Sequence, residues 1–192
     1  NDTVIYLNNE KISKIKKIKI FVSLDNLFKL KNIQINNLSI EKANFNLNKT
    51  NYDFFIKILN NTFEEKNLTI KNSNIFFRNE KNEVLFINQI SDLKYFHDSN
   101  ELVSKLVSEN EIFNIPFKLI VKNDKFNKEV NTKFDSSKIR LNIENKIDYE
   151  NINKLGFLDV LFVNKNTSLK YIIKKNTLTF NSENTGNSYN GH

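Results

Sequence analysis

Leu38–Leu47 reads LSIEKANFNL, and the stretch 30 residues on, Leu68–Phe77, reads LTIKNSNIFF. The two match in character position by position: Leu38 with Leu68, Ser39 with Thr69, Ile40 with Ile70, Ala43 with Ser73, Asn44 with Asn74, Phe45 with Ile75 and Leu47 with Phe77. Apolar and polar residues alternate in both, the period of a strand with one dry and one wet side. The alternation is not perfect. Ile33 and Ile35 alternate up to a slip at Asn36-Asn37, Leu38 and Ile40 resume it, and a second slip follows at Glu41-Lys42. A one-residue slip moves every later side chain to the other side unless a bulge or a tight hairpin absorbs it. The pattern leaves a long bulged strand and a set of short hairpins both open. On either reading, Ile33, Ile35, Leu38, Ile40, Phe45 and Leu47 are expected on one concave side, together with Leu68, Ile70, Ile75 and Phe77.

Between the two copies the period changes. In TNYDFFIKIL, Tyr52, Phe55, Ile56 and Leu59 recur at helical spacing, with Thr50 or Asn51 as N-cap and Asp53 in the first turn, which predicts a helix over residues 51–61. NELVSKLVSEN, from Asn100, fits a short helix or a strand equally. After it, IPFKLIV, VNTKFD, KIRLNIENKIDY, LDVLFV, LKYII and TLTF read as successive short strands, with Pro116 near a strand start or edge. Upstream, Ile18, Ile20 and Val22 alternate strictly, while Ile12 and Ile15 imply a phase slip. The run KISKIKKIKI reads as an amphipathic strand whose lysines occupy the wet side. Only 3 Gly and 1 Pro are present, so Asn is expected to serve the turns. It is the non-glycine residue that most readily takes positive φ, and Asn8-Asn9, Asn36-Asn37 and Asn60-Asn61 all fall between apolar runs. The predicted fold is mainly β: an elongated, curved, groove-like antiparallel sheet of repeating strands with one short α-helix near 51–61, spanning 1–192 without an internal domain boundary.

A chain of 192 residues with net charge +7 is long enough to bury a core. Of its 29 basic residues all but Arg78 and Arg140 are lysines. A protein that grips phosphates is expected to use arginine forks, so the charge does not predict nucleic-acid binding. Lys, Asn, Ile and Phe share AT-rich codons, which accounts for much of the composition. There is no Cys, hence no disulfide, thiol nucleophile or cysteine metal site. No apolar run approaches the roughly 20 residues of a membrane-spanning helix. His97 with Asp98 and Glu101 reads as a solvated turn, and Glu64-Glu65 as surface. With no glycine-rich phosphate loop, nucleophile elbow or paired histidines, the sequence predicts neither an enzyme nor a cofactor. The opening at Asn1 and the close on NSENTGNSYNGH predict a piece of a longer protein.

Three stretches carry a resemblance: SLDNLFKLKNIQINNLSIEKANFNLNKTNYDFFIKIL from Ser23, NLTIKNSNIFFRNE from Asn67, and NIPFKLIV from Asn114 onward through SLKYIIKKNTLTFNSEN. In pattern and order they resemble the AsmA-like branch of the AsmA/TamB bacterial envelope proteins. That branch carries a leucine-bearing turn, strands in which l-x-i-x-x-a-x-i recurs, a short helix, and many plain strands. Here Asn and Lys stand at many positions where the family has Gly, Pro or Asp. The resemblance implies a periplasmic protein anchored to the inner membrane by a segment outside this chain. It also implies a β-groove that binds or conducts phospholipid acyl chains between the membranes, in outer-membrane biogenesis. Under it, the ten apolar residues Ile33 through Phe77 named above become lipid-binding candidates. The alternative kept open by the alternation itself is a closed β-sandwich binding or structural module at the cell surface.

Overall fold

The computed structural model describes residues 2–22, 35–55, 66–175, 177–182 and 188–191. The chain is mainly β. Its strands are β1 (Thr3–Leu7), β2 (Glu10–Val22), β3 (Ile35–Leu47), β4 (Lys66–Arg78), β5 (Val84–Asp98), β6 (Val103–Ile112), β7 (Ile115–Asp124), β8 (Glu129–Ser136), β9 (Leu141–Asp148), β10 (Lys154–Phe162), β11 (Lys165–Lys174), β12 (Thr177–Ser182) and β13 (Ser188–Gly191). Their order in the sheet follows their order in the chain. The chain groups into two compact units, Asn1–Ser99 with Ser108–Asn114, and Asn100–Val107 with Ile115–His192. The second helix-or-strand candidate, NELVSKLVSEN, is the strand β6.

In the first unit the sequence repeat is a pair of neighbouring strands. β3 and β4 run parallel with Leu38 opposite Leu68, Ile40 opposite Ile70, Asn44 opposite Asn74 and Phe45 opposite Ile75, so each residue lies beside its own copy. The other described pairings are antiparallel. Parallel neighbours need a crossover rather than a tight turn, and the stretch between the copies supplies it. Residues 52–55 of that stretch are helical and Asn51 belongs to the turn before them; residues 56–61 of the predicted helix, Asn60-Asn61 among them, lie outside the described residues, as does Glu64-Glu65. The cap is Asn48 rather than Thr50 or Asn51. Its Oδ1 accepts the N–H groups of Thr50 and Asn51, both at 3.0 Å. Asn51, only 1% exposed, turns its amide back to accept the Asn48 N–H and to donate to the Asn46 carbonyl.

Both phase slips in β3 are absorbed inside one continuous strand. Phe21 pairs with Asn37 and Val22 with Ile35, leaving Asn36 as the extra residue of a bulge rather than a turn. The same happens in β2, where the register of the β1 hairpin shifts between Ile5 and Tyr6 and places Ile12 out of step. The second slip is different. Lys42 and Asn72, equivalent positions of the repeat, take φ of 55° and 48°. Around them the pairing skips one residue on each strand between β2 and β3 and between β4 and β5, and two on each between β3 and β4. It then resumes in the same register, making a crease through Lys16, Lys42, Asn72 and Ser91. Ser73 repairs the interrupted ladder: its Oγ accepts the Ala43 N–H at 3.0 Å and donates to the Lys71 carbonyl at 2.8 Å. Burial along β5 records the consequence. Phe86, Asn88 and Ile90 are the protected positions before the crease, and Leu93, Tyr95 and His97 after it. The protected side shifts phase by one residue, which holds it on the same side of the strand.

The second unit is an antiparallel meander. Two-residue hairpin turns of type I′ need positive φ at both positions, and Asn fills only part of that need. Asn8-Asn9 does so in the first unit, with φ of 49° and 65°, but Phe113-Asn114 of the first unit and Val163-Asn164 of the second place a bulky residue at the first position. Gly156 of β10 is buried beneath the ring of Tyr171 on β11, and a Cβ there would lie 1.9 Å from the ring. The Tyr171 hydroxyl reaches on to β9, donating to Asn145 Oδ1 at 2.7 Å. Burial raises the Tyr171 pKa, against the opposing effect of that bond.

Candidate functional site: two apolar sheet faces

Residues paired across neighbouring strands point to the same side, so register and parity define rows. In the first unit one row is Ile18, Ile40, Ile70 and Leu93, and the next is Ile20, Leu38, Leu68 and Tyr95. Beyond the crease the rows are Ile15, Ala43 and, on β4 and β5, Ser73 and Ile90; then Ser13, Phe45, Ile75 and Asn88; then Leu47, Phe77 and Phe86. The depth of these rows differs. Ile15, Ala43, Ser73 and Ile90 are at most 2% exposed, whereas Ile18 is 37% and Ile20 57% exposed. Phe45 meets Phe55 of the helical turn edge-on, with ring centroids 6.3 Å apart, and Phe77 stacks on Phe86 at 4.3 Å. The opposite side is mixed, with Phe21, Ile87 and Phe96 exposed on it among charged residues. There Lys17 and Lys19 reach Glu41 at 3.0 and 3.4 Å, and Lys17 holds the Glu41 carboxyl below the usual range, as expected for the basic run.

Of the ten sequence-predicted residues, Leu38, Ile40, Phe45, Leu47, Leu68, Ile70, Ile75 and Phe77 are half-buried. Ile35 enters as the backbone partner of Val22, and Ile33 lies outside the described residues. Two polar atoms are enclosed here without a partner, Ser13 Oγ and Asn88 Oδ1, and Asp92 Oδ1 is a third on the opposite side. His97 corrects the solvated-turn expectation. It sits within β5 opposite Lys66 and is only 6% exposed, because the phase shift at the crease carries it to the protected side. No group of three or more His, Cys, Asp or Glu suited to a metal occurs among the described residues.

Sequence reasoning, tied to the repeat, missed the face of the second unit. Leu119, Phe134, Ile143 and Val160 form one row; Val121, Thr132, Asn145, Leu158 and Leu169 the next; Asn123, Val130, Ile147, Gly156, Tyr171 and Phe180 a third. Phe117 stacks on Phe134 at 4.9 Å. The alternation in IPFKLIV and LDVLFV was the signal that would have found it. The other side carries Lys133 with Glu144 at 2.9 Å and Lys146 with Glu129 at 2.6 Å, interrupted by Ile120 on β7, by Leu155, Phe157 and Leu161 on β10, and by Ile172 on β11. The apolar side chains of these rows are half-buried throughout. Among the described residues the buried apolar side chains are Ile12, Ile15, Ala43 and Ile90, all in the first unit. No family model matches the chain, and neither does any curated protein. No helix among the described residues is long and apolar enough to cross a membrane.

Proposed function

We propose that this chain is a segment of an AsmA-like cell-envelope protein that binds or conducts diacyl lipid along its apolar sheet faces, in the periplasm, with the membrane anchor outside the chain. It acts by packing, without catalysis. One observation carries the reading: the second unit presents apolar rows across strands β7 to β12, and not one of their apolar side chains is buried among the described residues. An exposed apolar surface of that extent calls for an apolar partner. A closed sandwich, the competing reading, would enclose Leu119, Ile143 and Leu158 as deeply as Ile15 is enclosed. An acyl chain suits the rows because each methylene removed from water is worth about 0.8 kcal/mol, so eight of them offer roughly 6 kcal/mol before ordering costs. No polar constellation is needed for that. The rows Ile18–Leu93 and Ile20–Tyr95 of the first unit offer the same kind of surface.

The test is native mass spectrometry with solvent extraction of the purified chain. Wild type is expected to carry diacyl lipid. Ile143→Asp, Ile40→Asp and Ile70→Asp are expected to lose it, since an unpaired carboxylate among hydrocarbon is costly. A wild-type chain that is folded by circular dichroism but lipid-free after expression and after incubation with phospholipid would overturn the reading.

A further inference from the structure

The second unit has a distinct end. Its antiparallel order brings residue 102, loop 125–128, loop 149–153 and residue 175 together there. Main-chain bonds lock the loops to one another: Lys125 N–H donates to the Leu102 carbonyl at 3.0 Å, and Tyr149 N–H to the Lys128 carbonyl at 2.9 Å. Within loop 125–128 the Asp124 carboxylate accepts the Asn127 N–H at 2.9 Å and its side-chain amide at 3.1 Å. The result is a fixed platform from which the apolar tips project. Phe126 is 77% exposed, Ile152 95% and Leu102 43%.

Lysines surround these tips. Lys125, Lys128, Lys154, Lys174 and Lys175 are exposed and form no ion pair among the described residues. The carboxylates nearby are largely occupied: Glu129 by Lys146, Asp124 by Asn127 and Lys122, and Asp148 by the Glu150 N–H. Against these five cations the loop end sets only two further carboxylates, Glu101 and Glu150. A surface that offers hydrocarbon at its tips and positive charge around them is complementary to an anionic bilayer, whose acyl layer takes the tips and whose phosphates take the lysines. We propose that this loop end docks on an anionic membrane surface, with Phe126 and Ile152 entering the acyl boundary. The docking is independent of lipid carriage by the sheet face.

The experiment is co-sedimentation of the whole 192-residue chain with phosphatidylcholine vesicles, with and without phosphatidylglycerol. Wild type is expected to bind the phosphatidylglycerol vesicles, more weakly as salt rises, and to bind pure phosphatidylcholine poorly. K125Q/K128Q/K154Q should weaken binding about a hundredfold, each lysine near an anionic surface being worth roughly fivefold. F126S/I152S should weaken it at least about tenfold while keeping the circular dichroism spectrum and any co-purified lipid. Failure of wild type to bind at low salt, or F126S/I152S binding as wild type does, overturns the proposal. So does a wild-type dimer in sedimentation velocity that F126S/I152S abolishes, since the tips would then be a contact between copies. Loss of co-purified lipid in Ile143→Asp with vesicle docking intact would leave this proposal standing beside the lipid-carrier reading.

Discussion

The two units apply the same strand chemistry to different ends. In the first, the row Ile15, Ala43, Ser73 and Ile90 is sealed, Phe45 lies against Phe55, and small residues at the crease let strands and helical turn approach. In the second, larger residues fill equivalent rows, Phe134, Ile143 and Leu158 among them, yet every one keeps some exposure. Burial depth depends on what lies over a row, not on how apolar the row is. A sheet that is hydrophobic on one side and sealed only locally offers a surface rather than a core.

The comparison is sharpest under truncation. Ile15→Ala removes a side chain 1% exposed and should cost about 3 kcal/mol through lost transfer energy plus a cavity. Ile143→Ala removes a half-buried one and should cost about 1 kcal/mol in lipid-free protein; denaturant melts of both variants measure the gap, and equal costs would break the contrast. Gly156→Ala is the exception expected in the open unit. The new methyl meets the Tyr171 ring, and the clash should cost about 2 kcal/mol, whereas Tyr171→Phe, losing only the bond to Asn145, should cost about 1 kcal/mol. In the sealed unit Ser13→Ala should stabilise by about 1 kcal/mol, since the enclosed Ser13 hydroxyl has no partner to lose.

Acid gives a smaller, local effect. The Asn127 N–H and amide hold the Asp124 pKa below its usual value. A carboxyl depressed in the folded state contributes stability above its unfolded pKa and loses it as pH falls through the folded value. Amide exchange of Asn127 should therefore quicken as pH drops below about 4, once the rate's own pH dependence is removed. Lys16→Gln, at the exposed crease, should leave both melting and lipid content unchanged.

Much of this was legible in the sequence. The alternation in IFVSL, LSIEK and IPFKLIV announced a β chain, and the slip at Asn36-Asn37 is a bulge, with Phe21 opposite Asn37 and Val22 opposite Ile35. What could not be read was direction. A 30-residue offset fits a repeat laid side by side, but a parallel pair and two separate hairpins have the same period. The protection of His97 depended on the crease at Ser91, six residues back along β5, and the Tyr171 cover over Gly156 on a cross-strand partner fifteen residues distant. The turns at Phe113 and Val163 were hidden because neither residue favours positive φ, and the hairpin geometry overrides that preference.

The most direct test of the open face uses the absence of cysteine, which makes single introduced thiols unambiguous. Ile143→Cys and Ile15→Cys are labelled with a maleimide in delipidated protein and again after loading with phospholipid. The account predicts that Ile143→Cys reacts readily without lipid and slowly with it, while Ile15→Cys stays unreactive in both. If Ile143→Cys is as unreactive as Ile15→Cys in folded, lipid-free protein, the face is closed and the central claim is contradicted.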